Sequence, residues 1–318
     1  MSERASALAV TVAGLAFQNP IVLAAGTAGY GHELADVMDL GRLGGLVTKC
    51  VSPQPRAGAL APRVAEFDGG MINAVGLANP GVDAVRREHL PWLASALPAT
   101  RKIGNVVGFT VGEFADVIAG LEQALAGDTP GALDAYELNL SCPNVKAGGM
   151  EFGADPVALA DVVTRARAVT RRPLFVKLSP ALPDIARSAQ VAVDAGADAI
   201  TLVNTIPGLV IDVASRRSAL GFGTGGVSGA ALLPVGVLAT WKVHRALPAV
   251  PLVGIGGVSS LADALQYILA GASLVGVGTA ALRDPRAPER LVRDLARWCE
   301  RECVSRLADL VGTVEMPA

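Results

Sequence analysis

The chain lacks an imbalance of charge. Its 27 Lys and Arg stand against 29 Asp and Glu, a net charge of −2 over 318 residues, and the basic residues are scattered. Nucleic acid and anionic membranes are met by concentrated positive charge, so neither is expected as a partner. Histidine is scarce at three, and the four cysteines (Cys50, Cys142, Cys299, Cys303) form no Cys-x-x-Cys pair. Cys299 and Cys303 lie four apart on a helical pattern without ligand partners and read as packing residues, so no metal site is expected. Such thiol usage fits a reducing cytoplasm. A long apolar run is also missing. Leu8 to Ala28 is interrupted by Gly14, Gln18, Asn19, Pro20 and Gly26 and has no charged start, which argues for short strands over a signal peptide or membrane helix. No linker or composition shift divides residues 1–318, so one domain is expected.

What is abundant is apolar: hydrophobic residues make up 51% and charged ones 18%. That balance suits a parallel sheet whose strands are buried on both faces. Eight short runs fit this description: Ile21–Ala25, Gly45–Lys49, Ile103–Val107, Tyr136–Leu140, Leu174–Leu178, Ala199–Val203, Pro251–Ile255 and Leu274–Val277. Helical patterns separate them, among them Asp155–Val169, Asp184–Ala195, Pro234–Ala246, Ser260–Ala270 and Arg286–Val304. Asp-Pro opens the first of these, and Gly196 and Gly271 close two others. Eight strand–helix repeats predict an α/β fold, the closed (β/α)8 TIM barrel, with its site at the C-terminal strand ends. Residues Leu8–Gln18 are expected to form a hairpin closing the opposite end. Cys50–Pro80 and Ile206–Ala231 are too long for simple connections and read as functional covers over the mouth.

The strand ends carry the chemistry. Glu137-Leu-Asn-Leu-Ser-Cys-Pro-Asn144 delivers a thiol and two amides to a strand tip. A lone Cys is most often a buried structural residue. Beside Asn139 and Asn144, Cys142 reads instead as a nucleophile or proton acceptor. Lys177 sits in an apolar strand with no strand-end carboxylate evident beside it, and Lys49 ends another. A buried ammonium needs a partner, and a cofactor that develops negative charge would serve. Asn73, Asn105, Asn139, Asn144 and Asn204 supply donors and acceptors suited to a planar heterocycle. Gly254-Ile-Gly-Gly257 and Gly276-Val-Gly-Thr279 follow strands seven and eight, where barrels bind phosphate through backbone N–H groups. Gly221-Phe-Gly-Thr-Gly-Gly226 matches G-x-G-x-x-G, but follows no clear strand and lacks the acidic residue downstream. It is not read as a dinucleotide fingerprint.

From about Val10 to Val311 the residues resemble the class 1 dihydroorotate dehydrogenases. The resemblance rests on Asn19-Pro20, Ala25-Gly26, Thr48-Lys49, Gly70-Met-Ile-Asn-Ala-Val-Gly-Leu77, Leu138-Asn-Leu-Ser-Cys-Pro-Asn144, Val176-Lys-Leu178, Val203-Asn-Thr205, Gly225-Gly-Val-Ser-Gly229 and the two Gly loops. Class 2 members carry serine as the base, so Cys142 points to class 1. The run Val145-Lys-Ala-Gly-Gly149 looks like the 1B subclass, whose catalytic subunit pairs with an FAD- and iron–sulfur-containing subunit that passes electrons to NAD.

The resemblance implies FMN in the mouth, bound by Ala25, Lys49, Cys50, Asn105, Asn139, Lys177, Val203, Gly229, Gly256, Gly257, Gly278 and Thr279. It places dihydroorotate against Lys49, Asn73, Ala74, Val75, Gly76, Leu77, Asn139, Asn144, Asn204 and Thr205. Cys142 would take a proton from C5, and hydride would pass from C6 to flavin N5. Lys177 would stabilise the reduced flavin. A homodimer is expected. Three positions depart from the family pattern. Ala230 and Leu233 stand where a Pro and a Lys are usual, and Phe222 replaces a common Asn.

Rival readings are another FMN barrel acting on a pyrimidine, of the dihydrouridine or dihydropyrimidine type, a non-flavin phosphate-binding lyase or isomerase, and a non-catalytic scaffold. A tRNA-acting enzyme should be basic. A sugar-phosphate enzyme would not need two Lys and five Asn at the rim, and a scaffold would not need Cys142.

Overall fold

The computed structural model describes residues 7–141, 143–144 and 150–317. Eight parallel strands close into a barrel in sequence order: β1 (Ile21–Leu23), β2 (Gly45–Val47), β3 (Arg101–Val106), β4 (Ala135–Asn139), β5 (Leu174–Leu178), β6 (Ala199–Leu202), β7 (Leu252–Ile255) and β8 (Leu274–Val277). This is the expected (β/α)8 barrel. The strands read as unbroken apolar runs because both faces are buried. Val22, Val47, Ile103, Ala135, Phe175, Ala199, Val253 and Leu274 fill the interior with Val12 and Phe17. Leu23, Leu46, Tyr136, Leu138, Leu174, Val176, Ile200 and Leu252 face the helices.

Val12 and Phe17 come from the N-terminal hairpin, Val10–Val12 paired antiparallel with Leu15–Phe17. It plugs the barrel floor as expected. Gly45 leaves room for the Phe17 ring, which an added Cβ there would meet at 3.2 Å. Truncating a buried Phe to Ala costs about 3–5 kcal/mol, so the floor depends on that ring. Asn19, just past the hairpin, ties the start of β1 to the segment leading into β2. Its Oδ1 accepts from the backbone N–H groups of Ile21 (3.1 Å) and Gly44 (3.0 Å), and its Nδ2 donates to Arg42 O (2.8 Å).

The helix starts follow cap chemistry. Asp155 Oδ1 accepts from Val157 N at 2.9 Å ahead of Pro156–Val169, and Asp184 Oδ1 accepts from Arg187 N at 3.0 Å ahead of Ile185–Asp194. Ser260 and Asp263 form a capping box at Leu261–Ala270. Each side chain satisfies an orphan N–H of the first turn. Among the described residues no helix is long and apolar enough to cross a membrane.

The two long loops do more than cover the mouth: they pair with each other. Val64–Phe67 and Gly70–Asn73 from the first join Gly225–Ser228 and Ile206–Gly208 from the second in one four-stranded antiparallel sheet. Glycine permits the close approach. A Cβ on Gly225 would meet Asn73 O at 2.5 Å, and one on Gly229 would meet Gly70 Cα at 2.7 Å. The G-x-G-x-x-G run belongs to this cover, with Gly221 N donating to Pro62 O at 2.9 Å.

Candidate active site

Inward-facing residues turn from apolar to polar on rising through the barrel. Above the Ile103–Ala135–Phe175 floor stand Asn105, Glu137, Lys177 and Thr201, all at most 6% exposed. Glu137 accepts from Asn105 Nδ2 at 2.7 Å through one oxygen and from Thr201 Oγ1 at 2.9 Å through the other. Contact between β4 and β6 is the alternate-strand layering of a closed barrel. Asn105 is held from the other side too, its backbone N–H donating to Thr48 Oγ1 at 3.1 Å. Asn105 Oδ1 is buried and has no partner among the described residues.

Lys177 lies on β5 opposite Asn139 on β4. Its ammonium makes no hydrogen bond or ion pair among the described residues, although the side chain is 6% exposed. No strand-end carboxylate pairs with Lys177, as expected, but a carboxylate stands one layer deeper in the barrel. Glu137 is on the neighbouring strand, one inward position lower, opposite Phe175. It does not reach salt-bridge distance, because its oxygens are committed to Asn105 and Thr201. The alternation that turns Asn139 inward also turns Glu137 inward, so the signal was present in the sequence.

The amides divide into three groups. Asn139 and Asn204 meet, with Asn204 Nδ2 donating to Asn139 Oδ1 at 3.1 Å, while Thr205 N donates to Asn204 Oδ1 at 2.8 Å. Asn73 stands on the cover sheet, its Nδ2 donating to Gly226 O at 3.3 Å. Asn105 is one layer deeper than the rim. Cys142, the run Val145-Lys-Ala-Gly-Gly149 and the side chain of Asn144 lie outside the described residues. Ser141, beside Cys142 in sequence, has a buried hydroxyl without a partner among the described residues.

The segment 74–77 is braced from below. Ala74 N donates to Arg63 O at 2.8 Å, and Val75 O accepts from Ala59 N at 3.1 Å. Leu77 adopts φ 57°, a left-handed conformation costly for a branched side chain. Asn79 holds it there, donating to Leu77 O at 2.8 Å while its Oδ1 accepts from Ser52 N and Gly81 N. Asn79 is a site-supporting residue that the sequence reading missed. Cys50 lies against the same segment, its Sγ 3.8 Å from Leu77 O, and Tyr30 OH donates to the Cys50 carbonyl at 3.2 Å. Burial pushes the Cys50 thiol up to about 11 despite the opposing Lys49 charge, so it is a neutral packing group at neutral pH. Half-buried Lys49 follows β2, with its N–H on Gly29 O at 2.7 Å.

At the other side of the mouth the glycine loops converge. Thr279 Oγ1 donates to Ser228 Oγ at 2.8 Å, joining the β8 loop to the cover sheet. Leu232 N donates to Gly229 O at 2.9 Å, and Tyr267 OH donates to Gly256 O at 2.8 Å. Leu233 opens the helix Leu233–Ala246 directly against Gly257, Ala230 is exposed, and Phe222 is exposed on the cover. These glycines do not all report a ligand. Gly254 makes room for the Tyr267 ring, and Gly257 (φ 76°) for Leu233 N at 2.7 Å. Gly278 differs: a Cβ there would have its nearest contacts at 3.6 Å and 3.7 Å. A methyl group would fit there in ordinary contact, so packing alone does not call for glycine at this point, ahead of the short helix Thr279–Arg283. Such a cradle suits a phosphate. Among the described residues no group of three His, Cys, Asp or Glu is arranged to hold a metal ion.

The dihydroorotate dehydrogenase family pattern matches residues 7–298. A protein from Pelobacter propionicus, named dihydroorotate dehydrogenase B (NAD(+)), catalytic subunit, is 46% identical over 97% of this chain and 98% of its own length. One of the same name from Trichlorobacter lovleyi is 42% identical over 97% and 99%. One from Solibacter usitatus, provisionally named dihydroorotate dehydrogenase A (fumarate), is 45% identical over 97% and 98%.

Proposed function

Because the chain belongs to the dihydroorotate dehydrogenase family, we propose that it oxidises dihydroorotate to orotate with FMN in the barrel mouth and passes the electrons to a separate subunit. The family is flavin-dependent, and this mouth suits FMN. The observation that carries the reading is a largely buried lysine, Lys177, whose ammonium has no partner among the described residues, above a buried acceptor, Asn105 Oδ1, that also lacks one. FMN presents ring carbonyl oxygens that accept hydrogen bonds, a ring N–H and a phosphate. Lys177 and Asn105 would hold the ring edge, and the backbone at Gly278, with Gly256, Gly257 and Thr279, would hold the phosphate. Ala25, Val203 and Gly229 line the same mouth.

FMN supplies the hydride acceptor when bound; the rest is protein chemistry. Cys142, three residues beyond the end of β4, takes the C5 proton of dihydroorotate as the hydride leaves C6 and the C5–C6 double bond forms. A thiol of ordinary pKa about 8.5 must be biased toward thiolate for this role. Asn73, Asn139, Asn144, Asn204 and Thr205, with Lys49 and the backbone of 74–77, hold the carboxylate, carbonyl and N–H groups of the substrate. Lys177 places positive charge where negative charge collects.

The relatives named as B-type catalytic subunits favour a partner that carries electrons to NAD, and the chain shows neither ferredoxin-like Cys spacing nor a dinucleotide fingerprint. We extend the reading to a cytoplasmic homodimer. The Solibacter relative favours a second reading, fumarate as direct acceptor. The test is turnover of dihydroorotate by the purified chain with an artificial dye, NAD or fumarate. A yellow protein active with dye but inactive with NAD and fumarate is the expected result. NAD reduction by the chain alone would overturn the two-subunit idea, and efficient fumarate reduction would establish the second reading. A chain that takes up no FMN would end both.

A further inference from the structure

Glu137 is a buried carboxylate that the reaction does not use. It is 3% exposed, on β4, and both of its oxygens are occupied from inside the barrel: one by Asn105 Nδ2 at 2.7 Å, the other by Thr201 Oγ1 at 2.9 Å. Both carboxylate oxygens act as acceptors here. The amide of Asn105 therefore has one permitted orientation, NH2 toward Glu137 and oxygen away from it. A neutral amide in Glu137's place would allow either orientation, because it can both give and take. The oxygen so fixed is an orphan acceptor on the inner face of the barrel, fully buried and without a partner among the described residues. Thr48 grips the Asn105 backbone from the other side at 3.1 Å, so the side chain cannot satisfy its oxygen by moving the strand.

We propose that Glu137 is a positioning residue for the cofactor: it fixes Asn105 as a pure acceptor and so selects for a ring N–H on the flavin's pyrimidine edge. This rests on the FMN reading above. Glu137 touches neither flavin nor substrate and acts through Asn105. Its acceptor oxygens determine which end of the amide the ligand meets, a form of specificity that a site can carry because an unmatched buried polar group is costly.

The test uses the apoprotein and two ligands, FMN and its N3-methyl analogue, with binding read by quenching of flavin fluorescence. The wild-type chain should prefer FMN by about a hundredfold or more, since the analogue offers no N–H to a buried acceptor. Glu137→Gln should weaken FMN by about five- to tenfold, the worth of one neutral hydrogen bond, and shrink the preference to within about tenfold. Thr201→Val removes a hydroxyl from the same buried layer but leaves the Asn105–Glu137 bond, so the preference should survive; a merely structural role would move both variants alike. Should the Glu137→Gln chain not fold, Asn105→Ala reads the same acceptor and must also lose the preference. Wild-type preference retained in Glu137→Gln, or in Asn105→Ala, overturns the proposal while leaving FMN binding intact. A wild-type apoprotein that binds neither ligand overturns the reading beneath it.

Discussion

Two glycines at the phosphate end should respond in opposite ways to the same substitution, because one is required by the protein and the other by its ligand. An Ala at Gly257 must adopt φ 76° and place its Cβ 2.7 Å from Leu233 N and 2.9 Å from Leu233 Cα, which is backbone at the start of a helix and cannot swing aside. Left-handed conformation costs an L-residue roughly 1–2 kcal/mol, and overpacking a filled site adds typically about 1–3 kcal/mol. Gly257→Ala should therefore destabilise the apoprotein by about 2–5 kcal/mol, a fall in Tm of roughly 4–10 °C for a chain of this size. An Ala at Gly278 meets nothing closer than Ala24 Cβ at 3.6 Å and Thr27 Oγ1 at 3.7 Å, with φ at −115°. No packing clash of that kind applies, so the apoprotein should lose clearly less stability than with Gly257→Ala. Its methyl group, however, occupies the cradle. Losing one charge-assisted hydrogen bond to phosphate removes about 1.5–3 kcal/mol of binding, or roughly 10- to 100-fold in FMN affinity. Apoprotein melting by circular dichroism and FMN titration by fluorescence separate the two effects. A Gly278→Ala chain that binds FMN as the wild type does would refute the phosphate assignment, and a Gly257→Ala apoprotein melting within a degree of wild type would refute the packing argument.

Cys142→Ala should retain FMN yet be reduced by dihydroorotate about 10²–10⁴-fold more slowly in stopped flow, the usual loss for a general base; wild-type speed would end that assignment. Lys177→Met should lower the flavin reduction potential. A charge about 4 Å away in a medium of effective dielectric 20 is worth about 4 kcal/mol, or roughly 90 mV for two electrons, and an unchanged potential in a dye-equilibrium titration would sink the role. His89 stacks on Tyr30 at 4.0 Å and on His32 at 5.1 Å, and desolvation together with the neighbouring His32 charge holds it below the ordinary 6.5, against the opposing pull of Glu33 and Glu88. The unfolded chain therefore binds a proton near pH 6.5 that the folded chain refuses, so stability is full above that pH and declines as pH falls below it. His89→Phe should flatten this decline in urea midpoints measured from pH 7.5 to 5.5, and an identical pH slope would show that other groups set it.

The barrel strands were legible because burial on both faces leaves an uninterrupted apolar signature, and β5 and β8 match the expected bounds to the residue. Where bounds differ, the difference falls mostly at the site end. Ala25, Lys49 and Val203 were assigned to strands but lie just past them, because the chain leaves the ladder there to aim groups into the mouth. The reading of the two loops as covers held, yet their shared sheet was invisible. Strands such as Gly225–Ser228 carry no apolar alternation, and their pairing depends on backbones approaching through missing Cβ atoms, which no periodicity reports. Glycine misled in a second way. Five glycines at the ends of β7 and β8 looked like one phosphate signature, but Gly254 and Gly257 are explained by Tyr267 and Leu233 alone, and the ligand argument narrows to Gly278. Glu137 was missed for the opposite reason. Attention to the apolar residues of β4 identified its outer face, and the inner face of the same strand, Ala135, Glu137, Asn139, follows from the period of two. A charged residue at an inward position of a buried strand is costly unless something holds it. Within such a barrel it therefore marks the depth at which packing ends and the site begins.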